Sequence, residues 1–123
     1  AEDAKNAIKY KADGIWISNH GGRMFNSGIS CVDAMKDVMK KLKRKKIIII
    51  VDGGVRKGSD IIKYMCLGAD FVGVGRPAIH GLINNGHTGV SDIFKILKNE
   101  LLTGMINGGF KNLKSFKKLR LMF

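Results

Sequence analysis

No stretch of this chain is long and apolar enough to cross a bilayer. The longest purely apolar run, Ile47-Ile48-Ile49-Ile50-Val51, falls far short of the roughly 20 residues a spanning helix needs. No charged segment followed by an apolar one opens the sequence, so no secretory signal and a cytoplasmic location are expected. Proline occurs once, at Pro77, and no linker or low-complexity segment is found. Cysteine occurs twice, at Cys31 and Cys66, with neither a C-x-x-C pair nor a histidine at zinc spacing. A structural metal is therefore not expected, and free thiols on helix-like segments, packed as small core residues, are expected instead. At 123 residues the chain allows one small domain and not two.

Acidic residues are also scarce: 10 against 22 lysines and arginines, a net charge of +12. An excess of this size raises the possibility of a polyanionic partner. The densest basic run, Lys40-Lys41-Leu42-Lys43-Arg44-Lys45-Lys46, closes a helical pattern and precedes a strand. Lysines there complement the negative end of the helix dipole, so a solvated helix end is expected over a polyanion patch. No aromatic side chains interleave with the run, which argues against a base-stacking platform and against a nucleic-acid partner.

The apolar pattern alternates between helix-like and strand-like stretches. Ala4, Ala7, Ile8 and Ala12 recur at helical spacing, and Gly14-Ile15-Trp16-Ile17-Ser18 reads as a strand. A glycine-rich loop over residues 19–28 leads to a second helical face at Val32, Met35, Val38, Met39 and Leu42. The Ile47-to-Val51 run predicts a strand buried on both faces, as parallel strands under helices usually are. Ser59 is placed to cap a helix that ends at Leu67, stopped by Gly68. Phe71-Val72-Gly73-Val74 is a third strand, and Pro77 suits the first turn of a short helix. A polar stretch over 84–88 precedes an amphipathic helix over 89–106 with Ile93, Phe94, Ile96, Leu97, Leu101 and Leu102 on its apolar face. A last short helix is expected over 112–120. Such alternation implies a parallel sheet with right-handed crossovers.

All three strands end in a loop that joins glycine to a basic residue: Ser18-Asn19-His20-Gly21-Gly22-Arg23, Asp52-Gly53-Gly54-Val55-Arg56 and Gly73-Val74-Gly75-Arg76. In parallel α/β folds the C-terminal strand ends form the ligand face. Glycine lets backbone amides approach a ligand, and arginine clamps phosphate or carboxylate in two-pronged fashion. Each loop alone is explained by the needs of a tight turn; three on one face point to an anion site. His20 sets an ionisable base three positions before Arg23, beside that clamp. His80 and His87 lack such company and read as structural or surface residues.

These residues carry a resemblance. The segment from Asp13 through Arg23 resembles the signature of the FMN-dependent α-hydroxy acid oxidases and dehydrogenases. Val51-Asp52-Gly53-Gly54-Val55-Arg56-Lys57-Gly58-Ser59-Asp60 and the stretch from Leu67 through Pro77 resemble later motifs of that family, in the same order. The resemblance implies an α/β fold, a (β/α)8 TIM barrel of which residues 1–123 form an incomplete domain. This would be the C-terminal segment of about three βα units, strands 6 to 8. It implies FMN as cofactor and oxidation of an L-2-hydroxy acid, L-lactate the first candidate, to the 2-oxo acid. His20 would be the active-site base and also touch substrate, Arg23 would bind the substrate carboxylate, and Ser18 would contact the flavin. Asp52, Gly53, Gly54, Val55 and Arg56, with Gly75 and Arg76, would hold the ribityl phosphate.

The resemblance has two departures. Where the family shows Gln-Leu-Asp after the arginine, this chain has Met24-Phe25-Asn26. The family's flavin-contacting lysine, a substrate-side tyrosine and the carboxylate that orients the histidine lie on earlier strands and have no counterpart here. A three-stranded segment leaves two sheet edges and part of a core open. The expected partners are therefore the remaining part of the barrel, or other copies of a complete protein in a homo-oligomer. A truncated module that binds FMN or phosphate weakly and catalyses nothing is the alternative.

Overall fold

The computed structural model describes residues 1–42 and 47–119. Its elements run α1 (Glu2–Lys9), β1 (Gly14–Ile17), α2 (Cys31–Leu42), β2 (Ile48–Val51), α3 (Gly58–Leu67), β3 (Phe71–Val72) and α4 (Arg76–Asn107), with a closing 3₁₀ turn at Leu113–Lys118. The three strands are parallel and lie in chain order, β1-β2-β3. Gly14 pairs with Ile48, Trp16 with Ile50 and Ile50 with Phe71.

Strand alternation sends the two halves of this register to opposite faces. Ile49 and Val51 pack with Met35, Val38 and Leu42 of α2 and with Tyr64 of α3 into one buried cluster. The other face, carrying Trp16, Ile48 and Phe71, stays open, with these side chains 63%, 45% and 60% exposed. The expectation that β2 is buried on both faces is corrected accordingly. Helices cover one side of the sheet only, and among the described residues no layer lies on the other.

Local chemistry sets several boundaries. The first helix stops at Lys9, before Ala12, where Lys11 turns left-handed (φ 62°). Gly68 ends α3 at φ 112°, as its sequence position predicts. The start of α3 differs from expectation. Its N-cap is Lys57, not Ser59, because the Asp60 carboxylate reaches back to accept from the Arg56 and Lys57 amides, both at 3.1 Å. Glu100 of α4 caps the same end, accepting from Gly58 N–H at 2.6 Å. The third strand is shorter than expected. Its ladder closes with Gly73 N–H donating to Val51 carbonyl, because β2 has ended there.

Beyond Gly75 the expected short helix, polar stretch and long helix form one element, α4, bent sharply at Asn85 (φ −151°, ψ 40°) and Gly86 (φ 54°, ψ −142°). The bend folds the helix into a hairpin in which the backbones of Gly81 and Gly89 touch. A Cβ on either would strike the other's carbonyl group. Only part of the expected apolar face turns inward: Leu97 is buried and Ile93 and Leu101 partly so, while Phe94, Ile96 and Leu102 are exposed. The expected tail helix is the 3₁₀ turn, which buries Phe116 edge-on against Phe110 at 4.7 Å. Arg120 and the heart of the basic run, Lys43, Arg44, Lys45 and Lys46, lie outside the described residues. Lys41, in the last turn of α2, forms an ion pair with Asp37. Cys31 and Cys66 are free thiols, as expected.

Candidate functional site

The loops after the three strands meet at one end of the sheet, around a cavity of about 230 Å³. Its walls carry His20, Gly21 and Arg23 from the first loop, Asp52 to Arg56 from the second, and Gly73, Gly75, Arg76 and Ile79 from the third. All of the sequence-selected site residues except Ser18 line it. Ser18 directly follows β1, and its Oγ accepts from His20 N–H at 3.1 Å.

The His20 loop is a left-handed turn. His20, Gly21 and Gly22 have φ of 54°, 65° and 78° in succession. Glycine adopts this readily; histidine does so at a cost of about 1 kcal/mol or more. Hydrogen bonds to the flanking side chains hold the strained residue. Gly21 N–H donates to Asn19 Oδ1 at 3.1 Å, and Asn19 Nδ2 donates to Ile29 carbonyl at 3.4 Å. Asn19 therefore splints the histidine, a role the sequence motif did not assign it.

The second loop is floored by two further left-handed glycines, Gly53 (φ 95°) and Gly54 (φ 72°). A Cβ on Gly53 would lie 2.9 Å from Cys31 Sγ, so the loop presses directly onto the start of α2. Burial pushes the Cys31 thiol pKa up, partly offset by a hydrogen bond from the Asn19 backbone and reinforced by Asp52. Neither Gly54 nor Gly75 has any atom within 4 Å of where a Cβ would stand, so both face open space. Arg76, at the start of α4, reaches across to the first loop. A Cβ on Gly21 would lie 3.3 Å from its Nη2. Arg56 donates to Val55 carbonyl at 3.1 Å.

The chemistry of this cavity suits an anion. Three guanidinium groups, a histidine and a helix start surround glycine backbone, and the one carboxylate in the wall, Asp52, accepts from Trp16 Nε1 at 3.1 Å. The donors and the Cβ-free floor fit a phosphate. The volume lies below the roughly 300 Å³ of a complete small-molecule pocket, so a ligand as large as a flavin mononucleotide needs walls beyond these. Two structural contributors escaped the sequence reading. Ile79 could be found only by its place one turn into α4. Tyr64, whose Oη donates to Gly53 carbonyl at 2.8 Å, gave no sequence signal beyond an apolar helix position. His80 and His87 lie on exposed positions of α4, as expected. Among the described residues there is no metal-ligand cluster and no helix long and apolar enough to cross a membrane.

Comparison with known proteins agrees on one group. A family model described as FMN-dependent dehydrogenase matches residues 1–122. An L-lactate oxidase of Lentilactobacillus hilgardii is 43% identical over 121 residues, covering 98% of this chain and 32% of that protein. The 2-hydroxyacid oxidase 1 of Mus musculus is 41% identical over 117 residues, 95% of this chain and 31% of that protein. Among solved structures, a Pediococcus acidilactici protein described as a lactate oxidase superposes with a TM-score of 0.90 at 40% identity, over 99% of this chain and 34% of its own. A mandelate oxidase with benzoyl-formic acid also superposes at 0.90, with 32% identity, over 97% of this chain and 35% of its own. The chain spans about a third of the length of the curated relatives it matches.

Proposed function

The chain belongs to the FMN-dependent dehydrogenase family, and from that premise we propose that it forms the last three βα units, strands 6 to 8, of a (β/α)8 barrel that oxidises an L-2-hydroxy acid, L-lactate the first candidate, to the 2-oxo acid. Residues 1–123 are then an incomplete domain, and the rest of the barrel is their first partner. Two features support the barrel reading: three parallel strands in chain order, and helices on one face only. The single observation that carries the function is the cavity in which His20 and Arg23 face the glycine floor with Arg56 and Arg76.

In this reading the phosphate of FMN sits among Asp52, Gly53, Gly54, Val55, Arg56, Gly75 and Arg76. Ser18 approaches the flavin from the end of β1. Arg23 fixes the substrate carboxylate in two-pronged fashion. His20 takes one proton from the substrate, from carbon or from hydroxyl. When bound, FMN supplies the acceptor for the two electrons that leave the hydroxy acid. Arg23 and His20 come from one turn, so the splint by Asn19 sets their mutual geometry.

The partner is a small acid and not a nucleic acid, because the cations at the site converge on a concavity instead of spreading over an outer surface. Two free thiols support a cytosolic setting. A second reading, a flavin- or phosphate-binding module without turnover, is favoured by the small cavity; measurable turnover by the 123-residue chain alone would remove it. The main test is His20→Ala in the protein at full length. It should keep FMN bound and slow flavin reduction by hydroxy acid at least about a hundredfold. Normal reduction would overturn the assignment.

A further inference from the structure

We infer that Tyr64 is a positioning residue for the anion cradle, and that its hydroxyl aims the Gly53 and Gly54 amides into the cavity; this rests on the reading that the cradle holds the phosphate of FMN. Tyr64 is on α3, 4% exposed, and is not part of the cavity wall. Its Oη lies 2.8 Å from Gly53 carbonyl and 3.4 Å from Asp52 carbonyl.

Two successive carbonyls thus converge on one buried hydroxyl. A peptide unit is planar, and in a trans unit the C=O and the following N–H point in opposite directions. Both units here are trans. The Asp52 carbonyl aimed at Tyr64 sends Gly53 N–H the other way, and the Gly53 carbonyl does the same for Gly54 N–H. Gly53 and Gly54 line the cavity and Tyr64 does not, so amides turned away from the phenol are turned toward the cavity. Among the described residues neither amide has a backbone partner. Two adjacent N–H groups directed to one concavity make a nest for an anionic oxygen.

The glycines permit this shape but do not choose it. Gly53 and Gly54 both have positive φ, and glycine visits the mirror conformation about as readily. A Gly-Gly pair without a fixed partner would sample several peptide orientations, and only one presents both amides. The phenol selects that one from behind. The neutral phenol is also the form that can donate. Burial, then Cys31, Asp52 and Asp60, pushes its pKa up to about 12, so the donor persists throughout the working pH range.

The experiment compares the full-length protein with Tyr64→Phe, which keeps the ring and loses the donor. FMN affinity is read by quenching of flavin fluorescence, the phosphate environment by the ³¹P resonance of bound FMN, and the ring environment by the visible spectrum. Expected are FMN binding weakened about three- to tenfold, a ³¹P resonance moved toward that of free FMN, and an unchanged visible spectrum. Tyr64→Met, a second hydroxyl-free residue of different shape, should give the same pattern and replaces the first variant if that one does not fold. Unchanged affinity, or weakened affinity with an unchanged ³¹P resonance, overturns the inference. So does a visible spectrum that moves along with the phosphorus, the mark of general loosening. A wild-type protein that binds no FMN overturns the function proposed above and this inference with it.

Discussion

Trp16 Nε1 donates to Asp52 Oδ2 at 3.1 Å, tying the end of β1 to the end of β2 across the open face of the sheet. The indole is 63% exposed on that face, with Phe71 and Ile48 on the same side. This is the chain's one tryptophan. An apolar sheet face with two unpaired edges favours association. The isolated 123-residue chain should therefore sediment as oligomers at micromolar concentration. Its tryptophan emission should shift to the blue as concentration rises. Monomeric sedimentation with constant emission would show that the face needs no cover.

His20 holds a backbone conformation that costs a side chain about 1 kcal/mol or more. Replacing it with glycine removes that strain, offset in part by the greater freedom of glycine in the unfolded chain. His20→Gly in the full-length protein should leave unfolding in urea unchanged or raise stability by up to about 1 kcal/mol, while turnover disappears. A loss of stability above that size would show that the imidazole packs, and does not strain, the loop.

Gly53 and Gly54 separate two causes of intolerance. Alanine at Gly53 meets Cys31 Sγ at 2.9 Å and is strained as well, and should cost about 3 kcal/mol. Alanine at Gly54 meets nothing within 4 Å and should cost about 1–2 kcal/mol from backbone strain alone. Urea denaturation of the two variants should rank them in that order. Both should lose flavin, the second because its methyl occupies the cradle.

Acid pH should loosen the start of α3. Burial works against the Asp60 carboxylate, but the Arg56 and Lys57 amides and the Lys63 ammonium outweigh it and hold its pKa below the ordinary 3.8. A depressed pKa stabilises the fold above the unfolded value and ceases to do so as pH falls through the folded one. Thermal unfolding should drop below about pH 4, and Asp60→Asn should flatten that drop while lowering stability at neutral pH.

The alkaline limb belongs to Tyr64. Its pKa rises from 10.0 to about 12 on folding. A raised pKa contributes stability fully below the unfolded value and loses it as pH climbs through the folded one. Stability should decline between about pH 10 and 12, and Tyr64→Phe should remove this tyrosine's share of the decline.

The strand-end loops were legible because their chemistry is local: a buried run, then glycine, then a basic residue, three times over. His20, Arg23, Arg56 and Arg76 meet in space because parallel strands in chain order put those loops on one face. Non-local contacts were not legible. Nothing near Ser59 reveals that Glu100 helps cap α3, since Glu100 is far along the chain; the Asp60 cap is local, but it serves Lys57 and not the serine. Tyr64 reads as one more apolar helix residue until the fold carries its hydroxyl to Gly53. Burial on both faces of β2 was expected from its composition, but composition describes the surroundings a strand is suited to and not those within one segment of chain.

The hairpin at Asn85 and Gly86 has a genetic consequence. Every missense change at the codons for Gly81 or Gly89 adds a Cβ where the other arm's backbone already stands. No replacement at either position is mild. The first arm begins at Arg76, so a wedge at the crossing is transmitted to the guanidinium in the cavity. Deleterious alleles of the site should thus accumulate at two glycines that touch no ligand, in a helix that a search for active-site residues would pass over.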